Sequence, residues 1–311
     1  MVDLSLIIPV YNEGANIVPL YNAITRVLAA LNKKTEIIFI DDGSTDGSYE
    51  RLYDLKQKDS RVLVIKFKRN FGQTPALDAG IHHAKGKIIV TLDADMQNDP
   101  ADIPRLLKKL DEGYDVVSGW RHSRHDALIT KRIPSLISNW LARRLTGIMI
   151  HDSGCTLKAY RREALEGIRL YGEMHRFIPA IVSGSGFKVT EIPTNHLPRQ
   201  HGHSKYGMGR LAHGFLDLIY IKFWNSYSTR PLHFFGFLGL GSISLSLIIV
   251  VEQIIKALVI KAFWLGPLLL LAVLLFITGI LLIMFGFLSE ILIRTYYSGE
   301  DRQPYTIEKI I

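Results

Sequence analysis

The sequence predicts an α/β domain with a mostly parallel sheet, followed by an amphipathic segment and two membrane-spanning helices. Three observations carry this prediction. Short apolar runs alternate with helical stretches through the first 120 residues. Acid-rich polar clusters close three of those runs. Farther on, no Asp, Glu, Lys or Arg occurs from Pro231 to Val251 or from Ala262 to Ser289.

The apolar runs are LSLIIPV, EIIFID, RVLVIKF, KIIVTLD and YDVVSGW. The first four are near-continuous, as strands covered on both faces tend to be. Between them, helical stretches are expected at Ile17–Leu31, Gly47–Lys58, Thr74–Ala84 and Ile103–Glu112. Such a rhythm builds a parallel sheet, whose binding crevice lies beyond the carboxyl ends of its strands. PVYNE closes the first run, DDGSTDGS the second and DADMQNDP the fourth, so three strands deliver carboxylates to one edge.

Residues 121–230 are basic and mixed, and Leu211–Thr229 alternates apolar and polar residues with several aromatics. This reads as an interfacial segment on the membrane surface, with a core helix as the alternative. Each charge-free stretch reaches the roughly 20 residues that cross a hydrocarbon core. Two buried helices of a soluble core are the other reading, but such helices seldom run so long without a polar face. The division expected is therefore residues 1–210 as a cytosolic catalytic domain, 211–230 as the interfacial segment, 231–290 as the membrane hairpin and 291–311 as a cytosolic tail.

Leu4–Val10 has no basic region ahead of it and reads as a strand, not a signal peptide. Arg210, Lys222, Arg230, Arg294 and Arg302 flank the hairpin, against Lys256 and Lys261 between its spans; the balance favours both ends inside, with the two lysines dissenting. One cysteine, Cys155, excludes an intramolecular disulfide and suits a reducing compartment. The net charge of +8 fits an anionic surface, and the spans make lipid a simpler partner than nucleic acid.

The acidic edge suggests chemistry. Asp93 and Asp95, spaced i, i+2 on an extended strand, would point to one face. Two such anions repel unless a cation lies between them, and hard oxygen ligands select Mg²⁺ or Mn²⁺. Gln97 adds a neutral oxygen. Magnesium shares its sphere with substrate phosphates, so a diphosphate is the natural ligand. Glu13 and Asp42 lie at neighbouring strand ends, where they could accept hydrogen bonds from a ribose or a base, and Tyr11 offers an aromatic face. For Asp41 a turn or helix cap is an equal alternative. Neither a G-x-x-x-x-G-K-[ST] loop nor a G-x-G-x-x-G after the first strand is present, which counts against a P-loop NTPase and a dinucleotide dehydrogenase. His201 and His203 form an H-x-H, but no further Cys or His stands at zinc-ligand spacing.

P-V-Y-N-E, D-D-G-S-T-D, R-N-F-G-Q, D-A-D-M-Q-N-D-P, H-D-S-G-C-T-L-K-A-Y-R-R and R-x-x-G-x-S-K-Y together resemble the family 2 glycosyltransferases of GT-A, Rossmann-like fold. More narrowly, they resemble the polyprenyl-phosphate glycosyltransferases, which include dolichol-phosphate mannose synthase and bacterial undecaprenyl-phosphate sugar transferases with two C-terminal membrane helices. The resemblance spans nearly the whole chain, with the motifs in the family's order. It implies that Pro9, Tyr11, Glu13 and Asp42 hold the nucleoside and that Asp93, Asp95 and Gln97 hold a Mg²⁺ or Mn²⁺ ion and the diphosphate. Arg199 and Lys205 match positions that bind the diphosphate from a flexible loop, where a closing cationic strap would neutralise the leaving group. An ordinary basic surface loop is the alternative for that stretch.

On the acceptor side, Arg121, Arg124, Lys131, Arg132 and Ser135 offer donors for a lipid phosphate, and Lys131 and Ser135 are spaced for one helix face. The family commonly has arginine where Lys131 stands, so either Lys131 substitutes or Arg132 takes the role; a basic face resting on anionic lipid is the other reading. Asp152 falls where the family places a carboxylate near the reacting centre, and is expected to orient substrate, with base catalysis second. Asp95 is expected to act both as a metal ligand and as a catalytic carboxylate.

The implied reaction is inverting transfer from a nucleotide sugar to undecaprenyl phosphate. UDP-glucose is the first expectation for the donor, with GDP-mannose, UDP-N-acetylglucosamine and a UDP-aminoarabinose open. The resemblance also implies a homo-oligomer, with a tetramer as the expected form, in the cytoplasmic membrane. A processive synthase is disfavoured because none of the four tryptophans lies in a Q/R-x-x-R-W signature. A non-catalytic membrane-tethered nucleotide-binding protein is the rival from another class, and would not need three acidic strand ends.

Overall fold

The computed structural model describes residues 2–121, 150–168, 170, 174–197, 223, 231–260, 266–298 and 307–311. In chain order these form β1 Leu4–Val10, α1 Gly14–Ala30, β2 Thr35–Asp41, α2 Ser48–Lys58, β3 Val62–Phe67, α3 Gln73–His83, β4 Ile88–Thr91, α4 Ile103–Asp111 and β5 Val116–Arg121. Then come β6 Lys158–Arg161, α5 Ile178–Gly184, β7 Val189–Thr194, α6 Pro231–Ile260, α7 Pro267–Ser298 and β8 Ile307–Ile310.

One eight-stranded sheet runs in the order β7-β5-β6-β4-β1-β2-β3-β8. The four strands β4, β1, β2 and β3 are parallel, while β6 enters antiparallel between β4 and β5. Side chains alternate across the sheet. Leu6, Ile8, Phe39, Val64 and Val90 pack with Ile17 and Leu20 of α1, Leu52 of α2 and Leu106 of α4. Ile7, Ile38, Ile40, Ile65 and Ile89 pack with Leu77 of α3 and Ile178 of α5 in a second cluster. Both faces being covered explains why the strands read as unbroken apolar runs. At the contact of α3 with β1, a Cβ on Gly80 would meet Ile7 Cγ2 at 2.4 Å, so only glycine permits this approach.

The C-terminal residues differ from a separate tail. Ile291–Ser298 continue α7, and β8 pairs antiparallel with β3 at the sheet edge. Backbone bonds join Val64 and Ile311 in both directions at 3.0 Å, and Lys66 meets Glu308 at 3.1 Å. One compact unit comprises residues 1–222 and 303–311, and the helical pair belongs to a second unit of 223–302.

Within the second unit α6 and α7 pack at small residues. A Cβ on Gly239 would lie 2.6 Å from the Gly279 carbonyl oxygen, and one on Gly279 would lie 2.7 Å from that of Gly239. Ser242 donates to the Leu275 carbonyl at 2.7 Å and Ser246 to that of Ala272 at 2.6 Å, which satisfies both hydroxyls without water. Phe237, Leu240, Ile248, Leu258, Leu270 and Met284 point outward and exposed. Both helices are long and apolar enough to cross a membrane, and neither is covered as a soluble core helix would be. The amphipathic reading of Leu211–Thr229 falls, apart from Phe223, outside the described residues.

Candidate active site

The carboxyl ends of β1 and β2 are stitched together by their own loops. Asn12, at φ 52°, takes Ser44 Oγ on its N–H at 2.9 Å, while its Oδ1 accepts from Thr45 N at 2.8 Å. Glu13 N donates to Ser48 Oγ at 3.1 Å and Gly14 N to Asp46 at 3.0 Å, so the DDGSTDGS loop satisfies the amides that open α1. The Glu13 carboxylate accepts from Asn16 at 2.6 Å. Pro9 and Tyr11 remain partly exposed beside it.

Asp41 and Asp42 face inward. Asp41 is fully buried and accepts from Ser44 N at 3.2 Å, the turn-capping role left open by the sequence, and burial raises its pKa. Asp42 accepts from Phe71 N at 2.7 Å and Gly72 N at 2.9 Å, tying β2 to the loop that leads into α3. Burial pushes its pKa up to about 6, against the opposing pull of those two amides. Gly43, at φ 71°, makes the closure possible, since a Cβ there would meet the Arg69 carbonyl carbon at 2.4 Å.

The end of β4 is built differently. The strand stops at Thr91, so Asp93 and Asp95 do not share an extended strand as the spacing suggested. Asp95 instead accepts from Gln97 N at 3.1 Å across a turn in which Met96 has φ 61°. This turn still gathers both carboxylates and Gln97 just beyond the sheet. Asp93 accepts from Gln73 Nε2 at 2.7 Å on one oxygen and from the Thr156 hydroxyl on the other. Asn98 donates in turn to Thr156 at 3.2 Å. Burial, reinforced by the charge of Asp95, raises the Asp93 pKa. Gln73 and Thr156 were not singled out from the sequence, although both lie inside motifs that were, R-N-F-G-Q and H-D-S-G-C-T.

Arg121 and Asp152, assigned from sequence to the acceptor and the reacting centre, form one ion pair. Arg121 Nε donates at 2.6 Å and its terminal nitrogen at 2.8 Å, with the backbone N–H adding a third bond at 3.3 Å. Burial disfavours the Arg121 charge, but the Asp152 carboxylate outweighs it and raises the guanidinium pKa. Both oxygens of Asp152 are thus engaged by the Arg121 fork. Lys131, Arg132, Ser135, Arg199 and Lys205 lie outside the described residues.

Residues 5–169 match the model of the family described as glycosyl transferase family 2. The chain is a family 2 glycosyl transferase. Two curated relatives align over 99% of it and 93% of their own length, each 38% identical. One is a dodecaprenyl-phosphate galacturonate synthase of Rhizobium johnstonii, the other an undecaprenyl-phosphate 4-deoxy-4-formamido-L-arabinose transferase of Salmonella choleraesuis. Among solved structures, glucosyl-3-phosphoglycerate synthase from Mycobacterium tuberculosis with Mn²⁺, UDP-glucose and phosphoglyceric acid superposes with a TM-score of 0.55 at 19% identity, covering 72% of this chain and 79% of that one. That likeness establishes the fold, GT-A, and agrees with the mostly parallel sheet.

The rim of this glycosyl transferase suits a hard divalent cation. Among the described residues no three His, Cys, Asp or Glu side chains cluster as a self-sufficient metal cage. Two carboxylates with an amide nearby is the arrangement expected where substrate phosphates complete the sphere. Hydrogen bonds from Gln73 and Thr156 leave each Asp93 oxygen a further lone pair and fix its orientation. Asp93, Asp95 and Gln97 would hold the ion.

Proposed function

We propose that this glycosyl transferase carries a sugar from a UDP-sugar to a polyprenyl phosphate, with inversion at the anomeric carbon. The observation that carries the reading is the pair Asp93 and Asp95 beyond β4, joined through the segment Asp152–Thr156 to the Arg121–Asp152 pair. One end of that segment grips a donor-side carboxylate, and the other forms the acceptor-side ion pair. Family membership and two nearly full-length polyprenyl-phosphate relatives support the acceptor class.

A phosphate nucleophile needs little help. Its second pKa is roughly 6, so its oxygen attacks without a strong base. The work reduces to holding the acceptor in line and stabilising the departing UDP. Asp93, Asp95 and Gln97 would hold a Mg²⁺ or Mn²⁺ ion, which would supply charge neutralisation for the diphosphate. Pro9, Tyr11 and Glu13 frame the nucleoside, while Asp42 fixes the wall beside it through Phe71 and Gly72. Asp152, held by Arg121, orients the reacting groups. Lys131, Arg132 and Ser135 take the lipid phosphate, and Arg199 and Lys205 close over the diphosphate. Displacement in one step turns an α-linked donor into a β-linked product.

UDP is favoured by the UDP-bound fold neighbour, and the relatives move the sugar away from plain glucose. Galacturonate is placed first, glucose second and a formamido-arabinose third. The protein is assigned to the inner membrane with its first unit in the cytosol: residues up to 222 and β8 after α7 belong to one unit, which supports a hairpin with both ends on one side.

The test is purified protein with undecaprenyl phosphate and the three UDP-sugars, with Mg²⁺, Mn²⁺ or EDTA. Metal-dependent formation of a β-linked lipid-phosphate sugar is expected. Absence of transfer from every UDP-sugar, or an α-linked initial product, would contradict the proposal.

A further inference from the structure

Lys158 opens β6 and is 2% exposed. Its register partners are Thr91, the last residue of β4, and Ser118 of β5, so it lies between two strands of the sheet, buried directly beneath the carboxyl rim. An ammonium carries three donors. Among the described residues, Lys158 makes one hydrogen bond, to the Ser153 carbonyl at 3.1 Å. Burying a cation with so few partners is unfavourable, and an apolar side chain of similar volume would suit this interior position better. The fold alone gives no reason for the charge.

The surroundings do. Ser153 directly follows Asp152, the carboxylate clasped by Arg121, and Thr156, two residues before Lys158, clasps Asp93. The charges of Asp152 and Asp93 favour the ammonium, while burial, the largest influence, and Arg121 oppose it; its pKa is lowered to about 8.

We propose that Lys158 is a positioning residue for sugar transfer: from beneath the sheet edge it holds the Asp152–Gly154 turn through the Ser153 carbonyl and counters the Asp152 charge, fixing the Arg121–Asp152 pair for the incoming acceptor. The inference rests on the transfer reading above. The charge is retained for function at the expense of stability, which makes it separable from an ordinary core residue.

The experiment compares wild type with Lys158→Met, Lys158→Gln and Lys158→Arg, each assayed on whichever UDP-sugar the wild type consumes, so that a wrong donor assignment alters the substrate used and not the comparison. Thermal unfolding and binding of UDP with Mn²⁺ are measured beside kcat and KM. Lys158→Met is expected to melt at or above the wild-type temperature and to bind UDP normally, with kcat reduced on the order of 100-fold. Lys158→Gln, which keeps a donor and loses the charge, falls with it, whereas Lys158→Arg recovers part of kcat. Wild-type turnover by Lys158→Met would overturn the proposal. So would loss of the folded state in both Lys158→Met and Lys158→Gln, which would assign the ammonium to the core alone.

Discussion

The ends of β2 and β4 each present two aspartates within three residues, yet the structure uses them in opposite ways. At β2, Asp41 and Asp42 accept from the backbone amides of Ser44, Phe71 and Gly72, so their oxygens hold loops in place. At β4, Asp93 is held by two side chains, Gln73 and Thr156, and Asp95 by the amide of a turn that sets it beyond the strand. The β2 carboxylates tie main chain into the wall of the site, whereas Asp93 is oriented by side chains at the rim and Asp95 by the amide of its own turn. The partners of each oxygen decide the role, and composition does not.

Substitutions at the two ends should therefore fail differently. The largest effect is expected for Asp95→Ala, with sugar transfer reduced by about 1,000-fold or more while the melting temperature stays near wild type. Comparable activity would place the metal role elsewhere. Thr156→Val, which removes one of the two bonds orienting Asp93, should weaken Mn²⁺ binding in the presence of UDP by roughly 10- to 100-fold. Thr156→Ser should restore most of it; equal loss in both variants would point to packing. Asp42→Asn should act on stability, costing about 1–3 kcal/mol by leaving one of the Phe71 and Gly72 amides without an acceptor, as read by chemical denaturation.

The remaining prediction concerns pH. The Asp42 pKa is raised from 3.8 to about 6 in the fold, so between about pH 4 and 6 the native state binds this proton more tightly than the unfolded chain. Its stabilisation is present below the unfolded pKa, is lost as pH rises through that window, and is level above it. Subtracting the pH–stability curve of Asp42→Asn from that of wild type should expose this falling component. A component that rises with pH would mean the carboxylate is ionised more easily in the fold.

Much of this was legible in the sequence. The helices α1 to α4 and strands β1 to β5 follow from apolar runs and their spacing, because each strand here is buried on both faces. The gathering of Glu13, Asp42, Asp93 and Asp95 at one edge follows from parallel strands ending together. What escaped were partnerships made across the chain. Nothing local in DDGSTD tells that Asp42 will bind amides 29 and 30 residues away, or that Arg121 will spend its fork on Asp152. The end of β4 was misread because apolar Leu92 extends the run past Thr91, while the turn is set by Met96 at positive φ, a conformation its residue type does not advertise. β8 was hidden for a third reason: a four-residue edge strand becomes visible only with its partner β3.

The central claim is that the rim beyond β4 grips a divalent cation together with the donor diphosphate. Titration of Mn²⁺ followed by electron paramagnetic resonance, with and without UDP, tests it most directly. Wild-type protein is expected to take up one Mn²⁺ tightly only when UDP is present, and Asp93→Asn combined with Asp95→Asn to abolish that uptake while remaining folded. Unchanged Mn²⁺ binding by the folded double variant would contradict the account.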